Sequence, residues 1–459
     1  MECALSATAH AALAHAAGPD GWSDDPADLR PRLTDWRGRT RGRAGLLLRP
    51  RDVETVAAIV RAAAAHGVAL VPQGGRTGLV GGGLPELDRP SALLSLERMA
   101  RIRDVDVAGR TLTAEAGVVL SAVHDEAVAV GLRFPLSLAA KGSATVGGLI
   151  ATNAGGTQVL RHGTMRAQVL GVEAVLPNGA IWQGLSPLHK DNTGYDLKQW
   201  LIGAEGTLGI VTAATLRLVP IPPERVVAWA AFDVPEDALA VLNALGEDVE
   251  SFELLAEDAL ALVMQHFPAE RRPVGASPWH VLVEMAGSAG VADRLAWTLG
   301  EREAVLAQSA AQADALWRLR ELVPEAERHD GRSVKHDIAV PVVRVADYLR
   351  DVTPRIEAAF PQARVFAFGH LGDGNLHYNV RPPPGVDTDA WMAANAASVT
   401  RLVHDEAVAR GGTISAEHGI GVWKRAEFLR LVDPVKLAAM RAVRAALDPA
   451  GIMNSGKLF

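Results

Sequence analysis

Apolar positions along this chain recur with two different periods, and the segments that carry them alternate. Over residues 53–66 (Val-Glu-Thr-Val-Ala-Ala-Ile-Val-Arg-Ala-Ala-Ala-Ala-His) the spacing is helical, and Gly67 stands where a cap belongs. Val68-Ala-Leu-Val-Pro72 reads as a short buried strand that runs into a glycine-dense loop, Gly74–Gly83. Strands are predicted at Ala92–Leu96 and Thr111–Ala116, a helix over 119–130, and a strand over Val169–Leu176 that turns at Asn178-Gly179. A further strand covers Ile210–Val219, after which Pro220, Pro222 and Pro223 mark a domain boundary. From residue 224 strand-like pieces (Val226–Phe232, His280–Met285) alternate with Ala/Leu/Glu-rich helices over 236–247, 254–265 and 290–300, the pattern of an α+β layer. A last helix over 434–447 leads into Asp448-Pro-Ala-Gly-Ile-Met-Asn-Ser-Gly-Lys457. Two stretches result, divided at residue 221.

Within the second stretch, Gly369-His-Leu-Gly-Asp-Gly-Asn-Leu-His-Tyr-Asn379 reads as a β-hairpin. With Asp373-Gly374 as its two-residue turn, His370 faces His377 on one side of the sheet, with Cβ atoms roughly 4.5–5.5 Å apart. Asn379 projects from the same face. Such a pair either holds a metal ion or is two satisfied histidines beside a tight turn. A third candidate ligand, Glu417, lies in Ser415-Ala-Glu-His-Gly-Ile-Gly421 and is followed at once by His418.

Composition narrows the class. The chain has 459 residues, 49% hydrophobic and 22% charged, with a net charge of −7: an ordinary globular protein of two or three domains without a nucleic-acid footprint. Its one cysteine, Cys3, excludes structural disulfides, cysteine zinc sites and an iron–sulfur cluster within the chain. The N-terminus lacks a basic region followed by an apolar core, and no window approaches the roughly 18 apolar residues of a membrane span. A cytoplasmic protein without membrane insertion is expected.

Two common phosphate-binding loops fail. No Gly-x-Gly-x-x-Gly follows a strand. Gly451-x-x-x-x-Gly456-Lys457 matches part of a P-loop, but Leu458 replaces the hydroxyl residue and no helix follows. Four other small-residue loops remain: Pro72-Gln-Gly-Gly-Arg-Thr-Gly78, Lys141-Gly-Ser-Ala-Thr-Val-Gly-Gly148, Ala151-Thr-Asn-Ala-Gly-Gly156 and Gly203-Ala-Glu-Gly-Thr-Leu-Gly209. Each is compatible with a simple tight turn. Together they fit a large dinucleotide laid against the backbone.

These loops, with Lys190-Asp-Asn-Thr-Gly-Tyr-Asp-Leu-Lys-Gln199, Gly369–Asn379, Ser415–Gly421 and the C-terminal Asp-Pro-x-Gly-Ile-x-Asn, carry a specific resemblance from about residue 45 to the end. The chain resembles the FAD-dependent D-2-hydroxyacid dehydrogenases of the vanillyl-alcohol oxidase / para-cresol methylhydroxylase fold, and among them the D-2-hydroxyglutarate dehydrogenases. The resemblance implies an α+β protein. An FAD-binding domain of the para-cresol methylhydroxylase type (1–221) is followed by an α+β substrate or cap domain (222–410). A C-terminal helical segment (411–459) completes the active site and returns to the flavin.

It also implies roles. Pro72, Gly74, Gly75, Arg76, Thr77, Gly78, Gly142, Ser143, Gly147, Gly148, Thr152, Asn153, Gly155, Gly156, Glu205, Gly206, Gly209, Ile210 and Asn454 correspond to FAD-binding positions. His370, His377 and Glu417 correspond to ligands of a divalent metal, Zn²⁺ or Mn²⁺, and His418 to the general base. Arg320, Lys335 and Asn379 correspond to substrate-binding positions. Four residues after Arg320, where the 2-hydroxyglutarate enzymes tend to place threonine, this chain has Pro324, which offers neither hydroxyl nor N–H. The first glycine loop has no histidine to link a flavin, so noncovalent FAD is expected. With no cysteine cluster to pass electrons onward, an electron-transfer flavoprotein or quinone-linked carrier is the expected electron acceptor, direct use of oxygen is the alternative, and the sequence leaves room for a homodimer.

The residue types suit the chemistry. Oxidising a 2-hydroxy acid needs a Lewis acid to acidify the hydroxyl, a base near neutral pH and a hydride acceptor. Arg320 and Lys335 clamp carboxylates, and two cations favour a dicarboxylate such as D-2-hydroxyglutarate or D-malate. A D-lactate or glycolate dehydrogenase on the same fold is the alternative. A metal-dependent hydrolase is the alternative of another class, and it leaves the glycine loops without a role.

Overall fold

The computed structural model describes residues 5–35, 38 and 40–459, so Cys3 lies outside the described residues. The chain divides into two compact units: Met1–Gly156, Gly163–Ile221 and Glu417–Phe459 form the first, Thr157–His162 and Pro222–Ala416 the second.

In the first unit, helix α1 (Val53–His66) begins where the Asp52 side chain accepts from the Thr55 N–H and ends at Gly67, whose φ of 63° is the left-handed cap glycine supplies without strain. Its buried residues, Val53, Val56, Ala57, Val60 and Ala63 among them, form one stripe at helical spacing. Strands β1 (Leu46–Leu48), β2 (Ala69–Gln73) and β3 (Ser91–Ser95) make a parallel group with β3 in the centre, edged by the antiparallel pair Trp22–Ser23. Beyond β2 the C-terminal segment adds itself: the Leu70 N–H donates to the Ile452 carbonyl and the Asn454 N–H to the Leu70 carbonyl. Thus β2 is flanked on both sides and reads as a continuous apolar run.

A second, antiparallel sheet holds β4 (Ile102–Asp106), β5 (Thr111–Glu115), β6 (Val169–Val175), β7 (Ile181–Gly184) and β8 (Ile210–Arg217) in the order β4-β5-β8-β6-β7. Helices α2 (Leu120–Ala129) and α3 (Val146–Thr152) share its core. The helix Pro434–Leu447 lies where its period predicts.

The second unit is one antiparallel sheet between two helical layers. Its strands are β9 (Glu224–Phe232), β10 (Val249–Ala256), β11 (Trp279–Gly287), β12 (Ala304–Leu306), β13 (Asp337–Ala339), β14 (Arg364–His370) and β15 (Asn375–Arg381), in the order β12-β9-β11-β10-β14-β15-β13. One face packs on α4 (Pro235–Leu245), α6 (Val291–Leu299), α8 (Val345–Ala359) and α9 (Thr388–Ala409). The other packs on α5 (Glu257–His266) and α7 (Ala310–His329).

Two expectations are corrected. The helix expected over 254–265 begins only at Glu257, because 254–256 finish β10. Strand β10 sits between β11 and β14 and is buried on both faces, so it shows no alternation for sequence to read. The hairpin register is also different: His370 pairs with Asn375, and Phe368 with His377. Leu371–Asp373 form a 3₁₀ turn closed by Gly374 at φ 77°, in place of a two-residue turn at Asp-Gly. Buried Leu371 joins the sheet's core, and the Asp373 carboxylate accepts from the Asn375 N–H, so the turn takes four residues. The slip is two residues, and an even slip keeps every side chain on its face.

Candidate active site

Strand β2 delivers the chain into the first glycine loop at Gln73. The Gln73 amide donates to the carbonyls of Arg32 (3.0 Å) and Gly83 (2.8 Å) and so closes the loop on itself. Gly74 and Gly75 pass so close to the start of α3 that a Cβ on Gly74 would stand 2.2 Å from Thr145 Oγ1 and one on Gly75 1.8 Å from the Ser143 carbonyl. Only glycine permits that approach. The loop borders a cavity of about 410 Å³.

Of the expected cofactor residues, Pro72, Gly74–Gly78, Gly147, Gly148, Thr152, Gly155, Glu205, Gly206, Gly209, Ile210 and Asn454 line this cavity. Gly142, Ser143, Asn153 and Gly156 are not on its wall as described. Asn153 caps α3 in the left-handed conformation, and its side-chain oxygen accepts from Thr164 Oγ1 and the Arg166 N–H, a structural lock. Gly156 lets the backbone pass the Ser137 carbonyl, 2.1 Å from where a Cβ would stand. Three buried polar atoms of lining residues, Gln73 Oε1, Thr145 Oγ1 and Asn454 Oδ1, have no hydrogen-bond partner among the described residues. Buried orphan atoms beside bare backbone fit a polar ligand such as FAD.

Glu417 and His418 line the same cavity. Their segment is neither helix nor strand, and left-handed Gly419 (φ 76°) and Gly421 (φ 52°) turn it. Glu205 anchors this loop: its two carboxylate oxygens accept from the N–H groups of Ile420 (2.7 Å) and Gly421 (2.8 Å). Burial raises the Glu205 pKa above the ordinary carboxylate value, against the two N–H groups that favour the anion. The Glu205 carbonyl takes the Asn454 side-chain amide at 2.6 Å. One acidic residue therefore ties a glycine loop to both the C-terminal segment and the loop of His418.

In the second unit the remaining candidates gather around two buried acids. His370 stands directly across β10/β14 from Glu253, and its Nδ1 lies 2.6 Å from Glu253 Oε1. Arg320, on α7, donates from Nε to Glu253 Oε2 at 2.9 Å, and its guanidinium lies 4.9 Å over the Phe368 ring. Burial pushes the Glu253 pKa up, but His370 and Arg320 outweigh it and hold the carboxyl below its usual range. The rings of His370 and His377, diagonal neighbours on one face, are 5.7 Å apart.

Glu327 plays the matching part for the other substrate candidates. It accepts from Lys335 Nζ (2.5 Å), Ser333 Oγ (2.6 Å) and Asn379 Nδ2 (3.0 Å). Pro324 lies inside α7, so the N–H that would bond the Arg320 carbonyl is missing.

Thr145, Gln73, Glu253 and Glu327 escape a reading by motif. Thr145 and Gln73 both lie inside the small-residue loops seen in the sequence, so proximity is a usable signal. The two glutamates carry no local motif: both partners of Glu253 are distant in sequence, and Glu327 joins nearby Ser333 and Lys335 to Asn379, 52 residues away.

Comparison with known proteins gives consistent matches. The family described as "FAD binding domain" matches residues 44–184, and "FAD linked oxidases, C-terminal domain" matches residues 221–458. D-2-hydroxyglutarate dehydrogenase of Xanthomonas citri pv. viticola is 38% identical over 447 residues, covering 95% of this chain and 93% of that relative. The mitochondrial D-2-hydroxyglutarate dehydrogenase of Bos taurus is 37% identical over 449 residues, covering 95% of this chain and 80% of that relative. Among solved structures, p-cresol methylhydroxylase with substrate bound superposes with a TM-score of 0.75 at 16% identity, over 98% of this chain and 96% of that one. A 4-ethylphenol oxidase from Gulosibacter chungangensis gives 0.73 at 17% identity over the same shares. At such identities the structures establish the fold alone.

Proposed function

We propose, from the premise that this chain belongs to the FAD-dependent D-2-hydroxyacid dehydrogenases of the para-cresol methylhydroxylase fold, that its own substrate is a dicarboxylic D-2-hydroxy acid, D-2-hydroxyglutarate or D-malate, oxidised with metal assistance to the 2-oxo acid. Family membership leaves the hydrolase alternative without support. The observation that carries the substrate reading is that two cations, Arg320 and Lys335, are each held by a buried carboxylate, together with Asn379 on Glu327. Held cations are preorganised to receive a carboxylate at each end of the substrate. The names of the relatives point to the same acid.

The glycine loops, Thr145, Gln73 and Asn454 hold FAD noncovalently, since the first loop has no histidine to link it. Bound there, FAD supplies the hydride acceptor. His370, His377 and Glu417 form a donor set of two imidazoles and one carboxylate, which suits Zn²⁺ or Mn²⁺ and leaves positions for substrate oxygens. What supports Glu417 as third ligand is that β13 pairs Asp337 with His377, the Ala416 N–H donates to the Asp337 carbonyl, and Glu417 is the next residue. His418 takes the hydroxyl proton. Arg320 and Lys335 orient the two carboxylates, and Asn379, fixed by Glu327 and the His336 N–H, presents the same sheet face as His377. With no cysteine cluster to pass electrons onward, a partner flavoprotein or quinone-linked carrier re-oxidises the flavin.

The test is anaerobic mixing of the purified protein with D- and L-hydroxy acids while flavin absorbance is followed. D-2-hydroxyglutarate or D-malate should bleach the flavin fastest, and chelation should stop reduction while FAD stays bound. Faster bleaching by D-lactate or glycolate would replace the dicarboxylate reading with the monocarboxylate one. Undiminished reduction after complete metal removal would end the metal reading.

A further inference from the structure

A candidate metal ligand, His370, and a candidate substrate arginine, Arg320, converge on Glu253. It faces His370 directly across two neighbouring strands and is 1% exposed. One oxygen lies 2.6 Å from His370 Nδ1 and the other receives Arg320 Nε at 2.9 Å. An ionised carboxylate only accepts hydrogen bonds, so Nδ1 of His370 carries the proton, and in the neutral imidazole that ligates a metal the lone pair is then at Nε2. The two terminal nitrogens of Arg320 donate to no group among the described residues. The guanidinium lies over the Phe368 ring, which is 4.8 Å from that of His377. Glu253, His370, His377, Phe368 and Arg320 thus close a ring of contacts.

We propose that Glu253 is a positioning residue with two clients: it fixes the His370 tautomer and orientation for the metal, and it aims Arg320 at the substrate carboxylate. The inference rests on the metal and substrate assignments proposed above and deepens them. Carboxylate partners of metal-bound histidines typically alter metal affinity by roughly 10–100-fold. The chemistry of substitution is specific. In Glu253→Gln the shape is kept, but an amide offers one accepting oxygen where two donors compete. If that oxygen serves Arg320, the amide NH₂ faces His370 Nδ1, and the proton is driven to Nε2, where it blocks ligation.

The experiment is a competition titration of Zn²⁺ or Mn²⁺ against a fluorescent chelator, on FAD-loaded protein without substrate, for wild type, Glu253→Gln and Glu250→Gln. Glu250 is a buried acid of the same strand that pairs with Arg161. Glu253→Gln should lose roughly 10–100-fold in metal affinity and, at saturating metal, show a raised KM for the hydroxy acid, whereas Glu250→Gln keeps wild-type affinity. If wild type binds no divalent metal, the metal reading itself falls. If wild type binds metal and Glu253→Gln binds it equally, this proposal falls and the metal reading stands. Should Glu253→Gln fail to fold, Glu253→Asp, which keeps the charge but withdraws it by one methylene, is read in the same titration. Weakened binding supports the proposal and wild-type affinity overturns it.

Discussion

Replacing Lys457 by methionine should flatten the alkaline limb of the stability profile. Lys457 is fully buried, and its ammonium donates to the Ser455 carbonyl at 2.9 Å. Burial lowers its pKa from the ordinary 10.5 to about 8, even though Glu86 and Glu205 favour the charged form. The unfolded chain therefore keeps the proton up to about pH 10.5, while the folded protein gives it up near pH 8. Between these values the unfolded state binds more protons, so stability must rise with pH. A drop from 10.5 to about 8 corresponds to about 3 kcal/mol, a cost borne in full below pH 8 and relieved above it. Lys457→Met removes the titrating group, and every other group is shared by the two proteins. The wild-type stability minus that of the variant should thus climb by about 2–3 kcal/mol between pH 7 and pH 10. Urea unfolding of the flavin-loaded proteins at several pH values, followed by the flavin fluorescence that appears when the first unit opens, measures it. Parallel profiles for the two proteins would refute the reasoning, and a difference falling with pH would reverse its sign.

Gly75→Ala should abolish FAD retention, because its Cβ would stand 1.8 Å from the Ser143 carbonyl, whereas Gly142→Ala, with open space around it, should keep the flavin; the absorbance ratio of the purified proteins reads both. His418→Ala should slow flavin reduction by roughly 10²–10⁴-fold with substrate binding much less changed, and an unaltered stopped-flow rate at neutral pH would move the base elsewhere. Lys335→Ala should weaken D-2-hydroxyglutarate or D-malate by roughly ten- to a hundredfold, the worth of one charge-assisted hydrogen bond, and D-lactate less. Equal losses across a steady-state substrate panel would place Lys335 on the carboxylate that all these acids share.

Much of this protein was legible in its sequence because burial leaves a local record. The period over 53–66 specifies α1 and its glycine cap, and the final helix starts and ends where its pattern does. The glycine loops announce close backbone approach, and most of their residues meet at one cavity. The two histidines kept their common face although the hairpin register moved by two, since the side-chain period of a strand is itself two. What the tertiary structure alone decided is the set of partners for the buried charges. Glu253 meets His370 117 residues on and Arg320 67 residues on, and Glu327 draws in Asn379 from 52 residues away. A glutamate in the run Val249–Ala256 looks like any surface acid until flanking strands enclose it, and a doubly covered strand has no alternation to betray it. Periodicity reports which face is buried. It does not report which distant group will be there to neutralise a charge, and in low-dielectric surroundings that neighbour decides whether the charge is tolerable at all.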